Sequence, residues 1–150
     1  MHHFRFESDF VESWRCIPMS VRYKLDTCGI KLKLDHWNHM SYSERERLVQ
    51  QPISTSKDVQ AYRELLHSLV EQQKTDVPLK DLPIDPNPAW EVETVLPETV
   101  QQKAEELDVS ITLSQWQKLT PLQRFALIKL SRPSHENSNF LPALKEFGIL

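Results

Sequence analysis

Cys16, Cys28, His36, His39 and His135 are the side chains of this sequence that could be gathered into a metal site. Thiolates and imidazoles are the donors that zinc and similar metals take, at characteristic spacings. His36 and His39 are close enough in sequence to share a helix face. The two cysteines are too far apart for a C-x-x-C pair, and no H-E-x-x-H motif is present, so no metal is expected. With two glycines in all, the chain has no Gly-rich phosphate loop. It also lacks a G-x-S-x-G or comparable nucleophile motif. The residues therefore point away from an enzyme, and no cofactor is expected. Trp37 and Trp116 would suit a stacking platform for a ligand. Their recurrence at matching places in an internal repeat favours packing instead. Arg45 and Arg124 recur in the same way, which points to bonds with loop carbonyls or a carboxylate of their own unit.

Two segments are harder to explain as core. WRCIPMSVRYKLD sets Arg15, Arg22, Lys24 and Asp26 around a Cys-Ile-Pro turn. SRPSHENSNF sets Arg132, His135, Glu136, Asn137 and Asn139 between two apolar stretches. Polar residues this dense beside a buried helix form either a hydrogen-bonded structural loop or a recognition surface, and the sequence leaves both open. Read as a surface, the candidate partner-binding set is Arg15, Arg22, Lys24, Arg132, His135, Glu136 and Asn139. Arg132 could take a partner carboxylate in a bidentate way. His135 is of the type that titrates near neutral pH. The two segments form one surface only if the ends of the chain meet.

The elements that position these residues are written in duplicate. Residues 18–48 recur at 97–127 without a gap. Pro18 falls on Pro97, Val21 on Val100, Lys24 on Lys103, Leu34 on Leu113, Trp37 on Trp116, Arg45 on Arg124 and Leu48 on Leu127. An internal repeat decides the architecture before any local reading does. PMSVRYKLDTCG reads as a helix with Pro18 in its first turn and Gly29 at its C-terminal cap. IKLKL and VSITL alternate, as a strand or extended lead-in does, and the two copies are candidates to pair as a short ribbon. Ser41 and Glu44 form a capping box, and Thr120-Pro121 opens the equivalent helix. TSKDVQAYRELLHSLVEQQ carries an apolar stripe of Val59, Tyr62, Leu66, Leu69 and Val70. TPLQRFALIKLSRP is apolar over a wide face, which predicts a central position. NFLPALKEFG is a last short helix ending at Gly148. Between the copies, Pro78, Pro83, Pro86, Pro88 and Pro97 forbid a helix. That stretch reads as an extended surface connector pinned by Trp90 and Leu96, and deleting Lys80–Pro86 is expected to cost little. The fold class is mainly α: one domain of two diverged helical repeats, with room for a two-stranded ribbon. Repeat unit A runs over about 18–71, the acidic connector over 72–96 and unit B over 97–150.

Composition agrees with a soluble globular protein. The chain is 39% hydrophobic and 26% charged, with a net charge of −3. Residues 71–108 carry three basic and ten acidic side chains, whereas 111–150 carry five basic and two acidic. No dense basic stripe of the nucleic-acid type is present. No apolar run is long enough to span a membrane, and the N-terminus lacks the apolar core of a signal peptide. Cys16 and Cys28 are expected as buried thiols, in neither a disulfide nor a metal site.

The two ends carry a resemblance. RCIPM, KLDTCGIKL, QRFALIKLSR and the HEN-S-NF-LPAL-EFG pattern resemble the nitrate-reductase-associated protein family of cyanobacteria. The resemblance implies a cytoplasmic role in support of assimilatory nitrate reductase, an enzyme with a molybdenum cofactor and an iron–sulfur cluster. It implies no catalytic residues. The expected function is that of a non-catalytic accessory protein acting on assembly, maturation or activity through protein–protein contact. The alternative is a carrier of a molybdopterin or iron–sulfur cofactor, with Cys16 and Cys28 as ligands and Arg15, Arg22 and Arg132 on phosphates.

Overall fold

Ser41 and Thr120 hold matching places in the two copies, and each caps a helix. The Ser41 hydroxyl accepts from the Glu44 N–H at 3.1 Å, and the Thr120 hydroxyl from the Gln123 N–H at 3.1 Å. The N3 side chains reach back in return, which completes both capping boxes. The computed structural model describes residues 3–8, 16–75, 77–133 and 137–150. Of these, 61% are helical, counting eight α-helices and three 3₁₀ turns, with a short antiparallel ribbon. The fold is mainly α.

The chain divides into two compact units. The first, residues 1–3 with 8–85, contains α1 (Met19–Cys28), β1 (Ile30–Lys31), α2 (Leu34–Asn38), α3 (Tyr42–Gln50), α4 (Ser56–Gln72) and β2 (Lys80–Asp81). Its core gathers Val21, Leu25 and Cys28 from α1, Trp37 from α2, Leu48 from α3, and Tyr62, Leu66 and Leu69 from α4. The second, residues 4–7 with 86–150, contains α5 (Glu98–Glu106), α6 (Leu113–Lys118), α7 (Pro121–Ser131) and α8 (Phe140–Glu146). It also holds 3₁₀ turns at Arg5–Glu7, Ala89–Glu91 and Asn137–Asn139. In α7 the run Arg124–Ile128 and Leu130 are buried. This helix packs against α5, α8 and the turns at 89–91 and 137–139, so it holds the central position that its composition predicts.

The copies share their local structure. Pro18 and Pro97 precede α1 and α5, Trp37 and Trp116 lie in α2 and α6, and α3 matches α7. Trp37 and Trp116 are 1% and 0% exposed. The ribbon is not the one that the alternation suggests. The copies do not pair with each other; Ile30 and Lys31 pair with Asp81 and Lys80. Where VSITL lies, the chain is irregular up to α6. The five-residue alternations give way to short helices at Leu34 and Leu113, because Leu32 and Ile111 are followed at once by the capped turns that carry each Trp.

The connector is correspondingly more than a spacer. The Leu82 N–H donates to the Gly29 carbonyl at 2.8 Å. Arg63 bridges the Cys28 carbonyl, at 2.6 Å, and Asp81, at 3.1 Å. Further on, Trp90 meets Phe125 edge-on at 5.0 Å. Low loop-closure cost is not the relevant term for a segment that satisfies buried backbone groups.

Gly29 explains why the copies differ here. Its φ is +72°, and a Cβ would lie 2.6 Å from Ile84 Cγ1 and 2.9 Å from the Leu82 carbonyl. Its counterpart Asp108 has the same left-handed backbone, with φ 55°, and carries a side chain there. Gly29→Ala is expected to cost at least ~2 kcal/mol, from the left-handed penalty plus the clash. Asp108→Gly should change stability by less than about 1 kcal/mol. Urea unfolding of both variants checks this; equal costs would remove the close approach of the connector as the cause. Deletion of Lys80–Pro86 should lower the melting temperature by more than ~5 °C, and an unchanged midpoint would return the connector to a passive role.

Candidate functional site

The candidate residues divide between the units. Arg22 and Lys24 lie on α1 of the first; Arg132 and Asn139 lie in the second. Arg15, His135 and Glu136 lie outside the described residues.

Lys24 is committed to the fold. Its half-buried Nζ donates to the Val49 carbonyl at 2.5 Å and the Gln51 carbonyl at 2.6 Å. These carbonyls belong to the end of α3, where helical C=O groups have no partner in the helix. A cation there also meets the negative end of the helix dipole. Nζ lies 6.0 Å from the centre of the Tyr62 ring, and the Tyr62 hydroxyl donates to the Leu48 carbonyl at 2.9 Å. Burial lowers the Lys24 pKa, opposed by the neighbouring Cys28. The counterpart Lys103 instead pairs with Glu106 at 3.6 Å within α5. Arg22 is half-buried on the same helix as Lys24.

The second unit presents its candidates differently. Arg132 is exposed at the C-terminal cap of α7. Asn139 is half-buried, ends the 3₁₀ turn and precedes α8, and its side chain makes no capping bond.

The remaining sharp candidates are structural. Arg45 Nε donates to the Trp37 carbonyl at 3.0 Å, and its NH2 to the Asn38 carbonyl at 3.3 Å. Burial pushes its pKa down to about 10, opposed by Glu44, so it stays charged at neutral pH. Arg124 Nε donates to the Trp90 carbonyl and its NH1 to the Leu119 carbonyl, each at 2.7 Å. Trp116 Nε1 donates to the Val92 carbonyl at 3.3 Å. Bonding to loop carbonyls of the same unit is the use that the repeat predicts for both arginines.

His36 is 1% exposed. Its Nε2 lies 2.7 Å from the Val77 carbonyl, and its Nδ1 lies 3.1 Å from the Lys33 nitrogen. A carbonyl only accepts, so Nε2 carries the proton and Nδ1 accepts the Lys33 N–H. Both ring nitrogens are thus used by backbone. His39 is exposed, with Nδ1 2.7 Å from the Asp35 carbonyl. Cys16 and Cys28 are buried and neither is in a disulfide. Among the described residues, no three His, Cys, Asp or Glu side chains come together as a metal set would. No helix among them is long and apolar enough to cross a membrane.

A model of the conserved nitrate reductase-associated protein family matches residues 3–147. The chain belongs to that family. The match takes in both units and all four described candidates. No curated protein and no solved structure gives a significant match.

The buried thiol of Cys28 yields a pH prediction. Burial raises its pKa from 9.0 to about 11, against the pull of Arg63 and Lys24. The unfolded chain therefore releases this proton first, and stability is present below pH 9 and lost as pH rises towards 11. Burial also raises the Tyr62 pKa, which adds to the alkaline loss. The lowered Lys24 pKa acts in the opposite sense, so comparison with Cys28→Ala isolates the thiol. At pH 7 that variant should be about 1 kcal/mol less stable. Between pH 9 and 11 wild type should lose about 2 kcal/mol relative to it. Urea titrations at several pH values measure the gap, and parallel curves would show that the thiol titrates normally.

Proposed function

We propose that the chain is a non-catalytic accessory protein that supports assembly, maturation or activity of cytoplasmic assimilatory nitrate reductase through direct protein–protein contact. The observation that carries this reading is the family match over 3–147, whose description names association with nitrate reductase. The chemistry of the residues supports it. The buried side chains of His36, Arg45, Arg124 and Trp116 bond backbone groups of their own units, which suits a binding scaffold. Within the second unit the contact is assigned to Arg132 and Asn139, and Arg22 of the first unit is a separate candidate; Arg15, His135 and Glu136, from the same two segments, lie outside the described residues. Lys24 contributes by fixing α1 rather than by reaching a partner, since its ammonium already serves two carbonyls. A cofactor carrier using Cys28 is disfavoured. The thiol is 0% exposed, and among the described residues no three His, Cys, Asp or Glu side chains come together around it.

Arg132 is the residue to test, because it is exposed. Arg132→Glu should weaken capture of nitrate reductase by about tenfold or more, which is ~1.4 kcal/mol. Its melting temperature should stay within about 2 °C of wild type, as surface substitutions do. Co-purification of the tagged protein with the reductase, in forms with and without cofactor, gives the binding readout. A large loss of stability with capture intact would make the loop a structural stitch and place the contact elsewhere.

A further inference from the structure

The C-terminal end of α8 holds a segment from the far end of the chain. Glu146 accepts the N–H of Arg5 at 3.0 Å on one carboxylate oxygen and the N–H of Phe6 at 2.9 Å on the other. Phe147 meets the Phe4 ring edge-on at 5.0 Å and the Phe6 ring at 6.0 Å, and the Phe4 and Phe6 rings stack at 5.3 Å. Glu7 folds back to accept the Phe4 N–H at 3.1 Å, so the segment enters as a preformed turn. A carboxylate reading two successive backbone N–H groups, beside a ring reading alternate aromatic side chains, is a peptide-recognition arrangement. Backbone capture supplies affinity and the aromatic positions supply specificity.

Most of the attachment is shallow, with Glu7 its one buried residue among the described ones. The buried face of α8 consists of Phe140, Ala143 and Leu144, whereas Phe4, Phe6, Glu146 and Phe147 are all only half-buried. Beside the segment lies a shallow, open surface depression lined by Arg5, Phe6, Pro142, Lys145 and Glu146.

We propose that this end of α8 is a receptor for an aromatic–X–aromatic segment of a partner protein, and that the chain's own Phe4–Glu7 occupies it until displaced. The inference stands whatever the identity of the partner. An occupied receptor binds a competitor more weakly in proportion to the fraction of time it is vacant. A labelled, N-acetylated peptide of sequence HFRFES is the probe, titrated into full-length protein and followed by fluorescence anisotropy. The double variant F4A/F6A should bind it about tenfold or more tighter than wild type. Adding E146A to that variant should remove most of the gain. Equal binding by wild type and F4A/F6A, or none by either, with helix content retained, would overturn the proposal. Should F4A/F6A fail to fold, amide exchange in wild type decides. The Arg5 and Phe6 amides should exchange about a hundredfold faster than those of Leu127 and Ile128, by local release. Exchange at the same rate as α7 would show that the segment leaves only on global unfolding and would refute the receptor.

Discussion

The interaction on which each unit depends is a buried guanidinium at the end of a one-turn helix. The Trp helices, Leu34–Asn38 and Leu113–Lys118, are too short to satisfy their own terminal carbonyls. Each Trp is fully buried, so those carbonyls are drawn out of water with it. An unpaired buried carbonyl costs about 1–3 kcal/mol. Arg45 and Arg124 remove that cost, and both are themselves buried, 2% and 4% exposed. A guanidinium is suited to this because it offers several donors in a rigid fork, and it stays charged at a depth where a lysine would shed its proton. The contact also fixes the helix that follows. Arg45 and Arg124 lie one turn into α3 and α7, so the same bonds that close the Trp turn set how the next helix leaves it.

The copies then diverge by what covers them. In the first unit the Arg45 fork holds the carbonyls of Trp37 and Asn38, and further cover comes from later residues. Val77 reaches His36, Lys80–Asp81 pairs with Ile30–Lys31, and Ile84 closes over Gly29. In the second unit one arm of the Arg124 fork holds the Trp90 carbonyl of an earlier segment. Trp90 then packs on Phe125. A single proline-rich stretch thus supplies cover to both units, its first part to one and its second part to the other. This explains why its five prolines are tolerated. Extended chain with few N–H donors suits a segment whose work is done by carbonyls and side chains.

The helical elements were legible because capping chemistry and apolar period agree in them. Ser41 with Glu44 and Thr120 with Gln123 mark starts, and the stripe through Tyr62, Leu66 and Leu69 marks a face. The one-turn helices were not legible from period, since alternation and a single turn look alike over five residues. Thr112 with Gln115 is a capping box that could have revealed the second, and the repeat would then have revealed the first. The ribbon partner, Lys80–Asp81, was hidden because two residues carry no pattern. Among the candidate site residues, Lys24 was legible as important but not in its role. Its identity with Lys103 suggests a shared use, whereas the side chains serve a helix end in one copy and Glu106 in the other. The Phe4–Glu7 attachment was invisible for a physical reason: long-range docking of a short segment leaves no periodicity in either partner.

The repeat also separates what folding needs from what it does not. Of the two arginines on α7 and its cap, Arg124 is buried and donates to two carbonyls, and the repeat retains it as Arg45. Arg132 is exposed at the far end of the helix. A residue whose removal would strand buried acceptors is explained by the fold. An exposed arginine beside one of the most apolar helices of the chain is not, because a surface cation adds only about 0–1 kcal/mol. Folding pressure alone would leave that position open to most polar residues. The same asymmetry holds at α8, where Phe140, Ala143 and Leu144 face the core and account for the helix, while Glu146 and Phe147 do not. In the second unit, then, Arg132 at the far end of α7 and Glu146 and Phe147 at the far end of α8 are residues that the core does not require. Under the proposed function, association with another protein at those ends would leave the fold undisturbed.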